Sequence, residues 1–441
     1  MLTKFLFTKI DNSSLIVFRV IFGLLIFLES IGAIFTGWVR KTLIEPQFTF
    51  NFIGFDFLQP LDGNGMYYYF VLMGLFGFFV MIGYRYRLSI IAFTLMWAGV
   101  YFMQKASYNN HYYLLLLLCL IMMVLPANSY CSMDAKRHPE KQKIWMYSWC
   151  KWLIVFQLLV VYTYAAIAKL YPGWIDLSFF KVLMGSKSAY PLVGDLLQLE
   201  SIHWFMMISG IAFDFLIIPL LLIKKTRKCA FFAAILFHLF NSVVFQIGIF
   251  PYMSLALCLF FFEPETITKR FLKRKPLYTA AEVEKPTYYK ILLLIGTAYA
   301  IIQIALPLRH WFIAQPVLWT EEGHRMSWRM MLRSKAGIIE FKVLNHDTGK
   351  QHSVDLNAYL SVKQRRVIGS KPDMIWQFAQ RLKEEYKAKG YNISVFVTDS
   401  RVSINGGPWE AFVKPNIDIA AQPWHYFSHE PWIHPYKKAS K

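Results

Sequence analysis

Apolar blocks recur from residue 13 to residue 308, and several are long enough to cross a hydrocarbon core of roughly 30 Å, which takes about 20 helical residues. No other feature narrows the fold so much. In lipid the backbone N–H and C=O groups must be satisfied within the chain, so blocks of this length form helices. They lie near 13–35, 66–84, 88–105, 110–127, 148–170, 203–223, 229–247, 249–263 and 289–308. The expectation is a mostly α membrane protein, a bundle of about eight or nine transmembrane helices. The eighth block is short and nearly touches the seventh. A hydrophobic content of 56% and a mean hydropathy of +0.37 exclude an ordinary soluble globule. The first block carries Arg19 and Glu29 and is too long for a cleaved signal sequence.

The formal net charge of +20 is distributed in a way that argues against nucleic acid as a partner. Basic clusters fall between alternate blocks: "YRYR" at 84–87, "KRHPEKQK" at 136–143, "KKTRK" at 224–228 and "KRFLKRK" at 269–275. Positive charge collects on cytoplasmic loops, which predicts a cytoplasmic N-terminus. Nine crossings then leave the C-terminal region extracytoplasmic. The partner of these clusters is the anionic face of a lipid bilayer. The cysteines, Cys119, Cys131, Cys150, Cys229 and Cys258, show no zinc or disulfide spacing and read as free thiols in or beside spans. No metal is expected.

Beyond the last span the texture changes. "GIIEFKVLNHDTGKQHSVDL" alternates as two strands around a polar turn with Gly349. "PDMIWQFAQRLKEEYKAKG" has the helical period, with Asp373 in its first turn and Gly390 as its stop. "YNISVFVTDSRVSINGG" returns to strand character. The chain therefore divides into a transmembrane bundle (1–308), a small extracytoplasmic α+β domain (309–424) and an aromatic, basic tail (425–441).

Polar side chains kept inside spans are costly and are candidates for function. Asn109, Asn110 and His111 open the fourth block. An N-cap explains one asparagine, while an imidazole at a water-facing helix start suits proton transfer near neutral pH. Lys169 ends "FQLLVVYTYAAIAK" just before Pro172-Gly173, in one helical stripe with Tyr162, Ala165 and Ala166. Snorkelling to the bilayer surface is the common fate of such a lysine. The alternative is an apolar pocket, where desolvation disfavours the charged form of an amine and leaves a usable general base. His238, Asn241, Ser242 and Gln246 recur at helical spacing, either as interhelical hydrogen-bonding groups or as ligand contacts. In "HRMSWRMMLRS", Trp328, Met330 and Met331 offer a soft apolar surface, with Arg325, Arg329 and Arg333 beside it. A plug packing the tail domain onto the bundle explains that segment equally well.

Several of these segments, in this order, resemble the vitamin K-dependent gamma-glutamyl carboxylases of the wider HTTM group. "YNNHYYLLLLLCLIMMVLPANSYCSMD" resembles their Asn-Asn-His span and its exit. "YTYAAIAKLYPGW" resembles their stretch ending Lys-Lys-Leu-x-x-x-Trp. "FHLFNSVVFQIGIF" resembles their His-x-x-Asn-Ser-x-x-Phe-x-Ile-Gly-x-Phe run, and "MSWRMMLRS" their Tyr-Ser-Trp-x-Met-Met-x-x-Ser segment. "VSINGGPWEAFVKPNIDIAAQPW" matches a further stretch, so the likeness runs from about residue 13 to 424.

The resemblance implies an enzyme that couples oxygenation of vitamin K hydroquinone to its 2,3-epoxide with removal of a glutamyl gamma proton and addition of CO2. It implies Lys169 as the base for the quinol and His111 as the residue of the carboxylation half. It implies Asn110 at the quinol oxygen and Met330 and Met331 at the ring, with Trp328, His238 and Asn241 lining the cofactor site. O2 and CO2 would be co-substrates and a glutamyl peptide or protein the partner. This sequence departs from the family in Ala168, which stands where a first paired lysine is found. It also lacks the cysteines of an inter-segment disulfide and the long further luminal region of animal members. Those departures suggest a bacterial inner-membrane protein, with menaquinol as the alternative quinone. The competing readings are a quinol epoxidase without protein carboxylation and a non-catalytic quinone or lipid carrier.

Overall fold

The computed structural model describes residues 2–191 and 193–436. The last residues of the expected basic tail, 437–441, lie outside the described residues. Nine apolar helices build the membrane region: α1 (Ser13–Phe35), α2 (Gly65–Ile82), α3 (Tyr86–Met103), α4 (Asn110–Val124), α5 (Ser148–Lys169), α6 (Glu200–Leu222), α7 (Arg227–Phe245), α8 (Phe250–Leu257) and α9 (Tyr289–Leu308). Among the described residues seven of these are long and apolar enough to cross a membrane, and α4 and α8 are shorter. The chain is an integral membrane protein by this measure. The eighth block, expected as a span, is two turns of α-helix continued by a tight turn at Cys258–Phe261, because Pro251 sets its start and the ring-rich Phe260-Phe261-Phe262 run its end.

Small residues set the closest helix contact. A Cβ on Gly23 of α1 would lie 2.3 Å from the Met81 backbone nitrogen of α2, and one on Gly77 would lie 2.9 Å from that of Phe27. Membrane helices gain their attraction from such van der Waals approach, since lipid removes the hydrophobic drive. By contrast α9 is peripheral, with only 11% of its apolar window buried. It is pinned to α5 where the Tyr164 hydroxyl donates to the Ile304 carbonyl at 2.6 Å.

All four basic clusters gather at one end of the bundle. There β1 (Lys9–Asp11) pairs antiparallel with β2 (Trp145–Tyr147). The Asp11 carboxylate, fully enclosed, takes the Lys275 ammonium at 2.7 Å and accepts the backbone N–H of Ser13 and Tyr278. Arg19, an odd residue for a span, donates from α1 to the Ala127 and Cys131 carbonyls of this end. Asp134 accepts the N–H groups of Arg85 and Tyr86 where α3 begins, an acid placed at a helix N-terminus. Arg227 pairs with Glu263 at 3.2 Å.

The tail domain sits at the opposite end. Strands β3 (Lys335–Asn345), β4 (Gln351–Ser353), β5 (Ile393–Ile404) and β6 (Glu410–Ala411) form an antiparallel sheet in the order β4-β3-β5-β6. Helix α10 (Pro372–Ala388) packs on it, and the shared core holds Phe341, Val343, Phe378, Val395 and Trp432. Gly349 turns the first hairpin at φ +67 and Gly390 ends α10 at φ +85. Both are left-handed positions that favour glycine. This matches the fold class read from the sequence. The five cysteines are free thiols, Cys119, Cys150 and Cys258 among them buried.

One buried carboxylate ties the domain to the bundle. Asp373, in the first turn of α10, binds Lys105 at 2.7 Å and Arg325 at 2.6 Å. Burial alone would raise its pKa, but the Arg325 guanidinium and the Lys105 ammonium hold it well below the usual carboxylate range. A depressed folded pKa contributes stability that is present above the ordinary aspartate value, about 3.9, and is lost as pH falls through the folded value. Docking is therefore expected to be flat from neutral pH down to about 4. Asp373→Asn, which leaves two cations facing a neutral group, should cost about 3–5 kcal/mol and open the 309–334 connection to protease. Thermal unfolding in detergent and limited proteolysis check both.

Candidate functional site

Lys169 closes α5 at the end remote from the basic clusters. A helical side chain leans toward its own N-terminus, so the Lys169 ammonium reaches back into the bundle instead of out to the surface. It meets Asp214, in the lower half of α6, and both side chains are about nine-tenths or more buried. The Lys169 nitrogen also lies 5.4 Å from the Trp174 ring centroid. Tyr162, Ala165 and Ala166 are buried on α5 with it, as the stripe predicts. The small alanines allow close helix approach. The lysine is thus not the solitary amine that the apolar run suggests. Its partner Asp214 was legible only as one acid within "GIAFDFLIIPLLL", the signal that an ionisable residue inside a span always gives.

A second group also starts from α5. The Tyr162 hydroxyl lies 3.1 Å from His238 Nε2. His238 meets the Phe250 ring edge to face at 5.9 Å, and His111 stacks on that ring at 4.1 Å. Helices α4 to α8 thus contribute two polar pairs, Lys169 with Asp214 and Tyr162 with His238, and the Phe250 ring stands between the second pair and His111. Asn241 donates to the Phe237 carbonyl of its own helix at 2.7 Å. Ser242 continues the expected polar stripe, its hydroxyl 3.1 Å from that of Tyr252 on α8. Gln246 lies beyond α7 in a left-handed conformation, exposed.

Asn109 caps α4, accepting from the Tyr112 N–H at 2.8 Å, so Asn110 is free for another task. Its carboxamide accepts from the Tyr108 hydroxyl at 2.9 Å and donates to the Arg329 carbonyl at 3.1 Å. One donor and one acceptor site remain on it. The 324–334 segment inserts beside it as a wedge. Trp328 is fully buried and stacks on Tyr113 at 4.9 Å, so it serves packing and offers no open wall. Met330 packs against the bundle core, while Met331 packs with Ala168, Trp174 and Leu332 around the Lys169 helix end. The structure thus brings Asn110 to the backbone just before Met330, and Met331 to the neighbourhood of Lys169.

The wedge is rich in charge, mostly compensated. Arg325 is held by Asp373, and Arg333 by Glu321, which also takes Lys371 at 2.8 Å. Burial would raise the Glu321 pKa, yet Arg333, Lys371 and Lys335 hold it well below the usual range. Burial also pushes Lys335 down to about 7 against the pull of Glu321. Beside the wedge a cavity of about 550 Å³ opens between α5 and the 310–318 loop, lined by Tyr164, Ala168, Tyr171, His310, Trp311 and Arg329 among others. A second, about 260 Å³, lies under the tail domain around Lys105, Arg325 and Asp373.

Comparison with known proteins agrees with this layout. The family model for the HTTM domain matches residues 7–265, and the model for the vitamin K-dependent gamma-carboxylase lumenal domain matches residues 288–439. No solved structure matches the chain.

A buried ion pair is costly to break from one side, since the remaining charge stays uncompensated. Asp214→Leu and Lys169→Met should each lower stability by about 3–5 kcal/mol. The double variant Lys169→Met/Asp214→Leu should recover most of that loss. Thermal unfolding of the four proteins in detergent, read as a double-mutant cycle, checks the pair. Additive losses would mean that the two groups do not interact.

Proposed function

Because this chain belongs to the vitamin K-dependent gamma-carboxylase family, we propose that it oxygenates a vitamin K-type hydroquinone within the membrane and couples this to carboxylation of glutamyl side chains. The observation that carries the proposal is the buried Lys169–Asp214 pair, set at membrane depth beside Met331. A reduced quinone with O2 supplies, when bound, a strongly basic oxygen species and ends as the 2,3-epoxide. What the chain supplies is acid–base chemistry, positioning and dryness.

The residues present fit such a group. An amine paired with a carboxylate, a carboxamide with a spare donor and acceptor, and a methionine wall suit a flat ring bearing two hydroxyls. Asn110 would hold a quinol oxygen, and Met330 and Met331 would pack its ring. Lys169 would take the hydroxyl proton. A buried lysine–aspartate contact holds one proton between an amine and a carboxylate. In the form with the proton on Asp214, the amine is free to act as base. Tyr162 and His238 would hold a further proton in the hydrogen bond between them. His111, set apart from them by the Phe250 ring, would serve the glutamyl and CO2 half. Trp328 would fix the wedge through Tyr113, and Asn241 would hold the pitch of α7 beneath His238.

The bundle also suits the reactants. A quinone with an isoprenoid tail dissolves in lipid and reaches membrane depth from the side, and O2 and CO2 are small apolar gases. Menaquinol is the quinone that a bacterial inner membrane would offer. The positive-inside pattern puts the basic end in the cytoplasm, and hence the tail domain, with its glutamyl peptide or protein substrate, outside.

Lys169→Ala should lower epoxide formation by about 10²–10⁴-fold, measured by mass spectrometry of quinone products in reconstituted membranes with O2. Lys169→Arg should fail nearly as badly, because guanidinium does not give up its proton. Protein that binds quinol yet consumes neither quinol nor O2 would be a carrier, and the proposal would fall. His111→Ala should reduce the gain of CO2 on a glutamyl peptide more than it reduces epoxide. Equal losses would show that His111 serves both steps.

A further inference from the structure

Arg329 is the one wedge arginine left without an acid. Among the described residues it forms no ion pair, whereas Arg325 and Arg333 on the same segment are each held by a carboxylate. It is nine-tenths buried, and its Nε has no hydrogen-bond partner among the described residues. Among the described residues its side chain meets His310, whose Nε2 lies 3.4 Å from Arg329 Nη1. His310 Nδ1 lies 2.8 Å from the Pro307 carbonyl, so the ring donates there and accepts from the guanidinium. A neutral imidazole does not compensate a buried charge. Burial and the nearby Arg333 already push the Arg329 pKa down to about 10, so the site as it stands is electrostatically unfavourable for a cation.

This guanidinium lines the 550 Å³ cavity, and the mouth of that cavity is unusual. Its rim includes Trp311 and Leu170, which are 61% and 54% exposed. It lies at the outer end of the seam between α5 and the sparsely buried α9. Exposed tryptophan at a helix end marks the level of lipid headgroups. An apolar rim at headgroup depth, leading to a buried arginine that pairs directly with no carboxylate among the described residues, selects a molecule with an anionic head and an apolar body.

We propose that this cavity is a binding site for an anionic phospholipid of the outer leaflet, its phosphate diester on Arg329 and an acyl chain lying along the α5–α9 seam past Tyr164 and Ile167. Arginine matches phosphate geometry with two parallel donors, and the unpartnered Nε is one of them. Inorganic phosphate shares the headgroup chemistry but not the apolar body. The lipid reading therefore requires that free phosphate compete poorly.

The test uses full-length protein in vesicles of phosphatidylcholine, with or without phosphatidylglycerol, followed by detergent extraction and native mass spectrometry. Wild-type protein should retain phosphatidylglycerol, and its thermal unfolding temperature should rise in the mixed vesicles. Arg329→Gln should retain about tenfold less, as the loss of charge-assisted hydrogen bonds implies, and should lose the rise. Arg329→Lys, which keeps a point charge without the fork, should fall between them. Equal unfolding temperatures of wild type and Arg329→Gln in pure phosphatidylcholine would show that the variant folds, leaving the lipid-dependent rise as the readout. Four results would overturn the proposal. They are retention unchanged in Arg329→Gln, a stability loss in that variant that is the same in both vesicles, displacement of the lipid by millimolar inorganic phosphate, and Arg329-dependent capture of a glutamyl peptide in place of lipid. None of these results bears on quinol epoxidation, so the lipid site and the catalytic reading stand or fall separately.

Discussion

An ammonium and a carboxylate facing each other inside an apolar bundle organise the end of this molecule that carries the tail domain. Taking either ion from water into low-dielectric surroundings costs several kcal/mol, so neither Lys169 nor Asp214 would stay where it is without the other. Their contact fixes the register of α5 against α6. That register in turn brings Tyr162 to His238 and sets the Trp174 ring beside the amine. The helix that carries Lys169 ends at once, and the chain turns at Pro172 into short segments that roof the site with Trp174, Phe179 and Phe180. The second polar pair and the roof are consequences of the first.

Both ends of the bundle neutralise buried charge by contacts between distant stretches of chain. At the basic end Asp11 is met by Lys275 and two backbone N–H groups, Asp134 by a helix N-terminus, and Arg19 by loop carbonyls. At the other end the acids come from the connection and the tail domain. Asp373 of the tail domain neutralises Lys105 and Arg325, and Glu321 gathers Arg333 and Lys371. The tail domain is thus part of the electrostatics of this end as well as a lid of protein over it. A chain cut before residue 372 would lose the carboxylate that Lys105 and Arg325 share.

Much of this was written openly in the residues, and the unread part has a common cause. The nine apolar blocks, the alternation of β3 and β5 and the glycine stops after the hairpin and after α10 are local patterns, fixed by the period of a helix or a strand. They appear where expected. Local pattern also placed Lys169 on a stripe with Tyr162 and the two alanines. It gave no partner for the lysine, because Asp214 lies 45 residues away on another helix, and only packing decides which faces meet. For the same reason Trp328, an open wall by composition, is consumed by Tyr113. Asn241, an interhelical or ligand contact by spacing, bonds back to its own helix. Periodicity tells which face a residue occupies but not what stands opposite.

The depth of the amine decides between its two possible roles. A lysine meant to anchor a helix end lets its four-carbon stem follow the apolar surface outward until the ammonium meets water. Lys169 has that route, since the neighbouring Leu170 is more than half exposed and the end of α5 is adjacent. Its side chain instead runs the other way, toward an acid buried in the span. An inward path is unfavourable for an anchor and gives it nothing that solvent would not provide. For a base it gives dryness and a coupled acid that can take the proton and return it. It also places the amine at the level where a lipid-dissolved ring would lie. The direction of one side chain therefore weighs against anchoring and for chemistry.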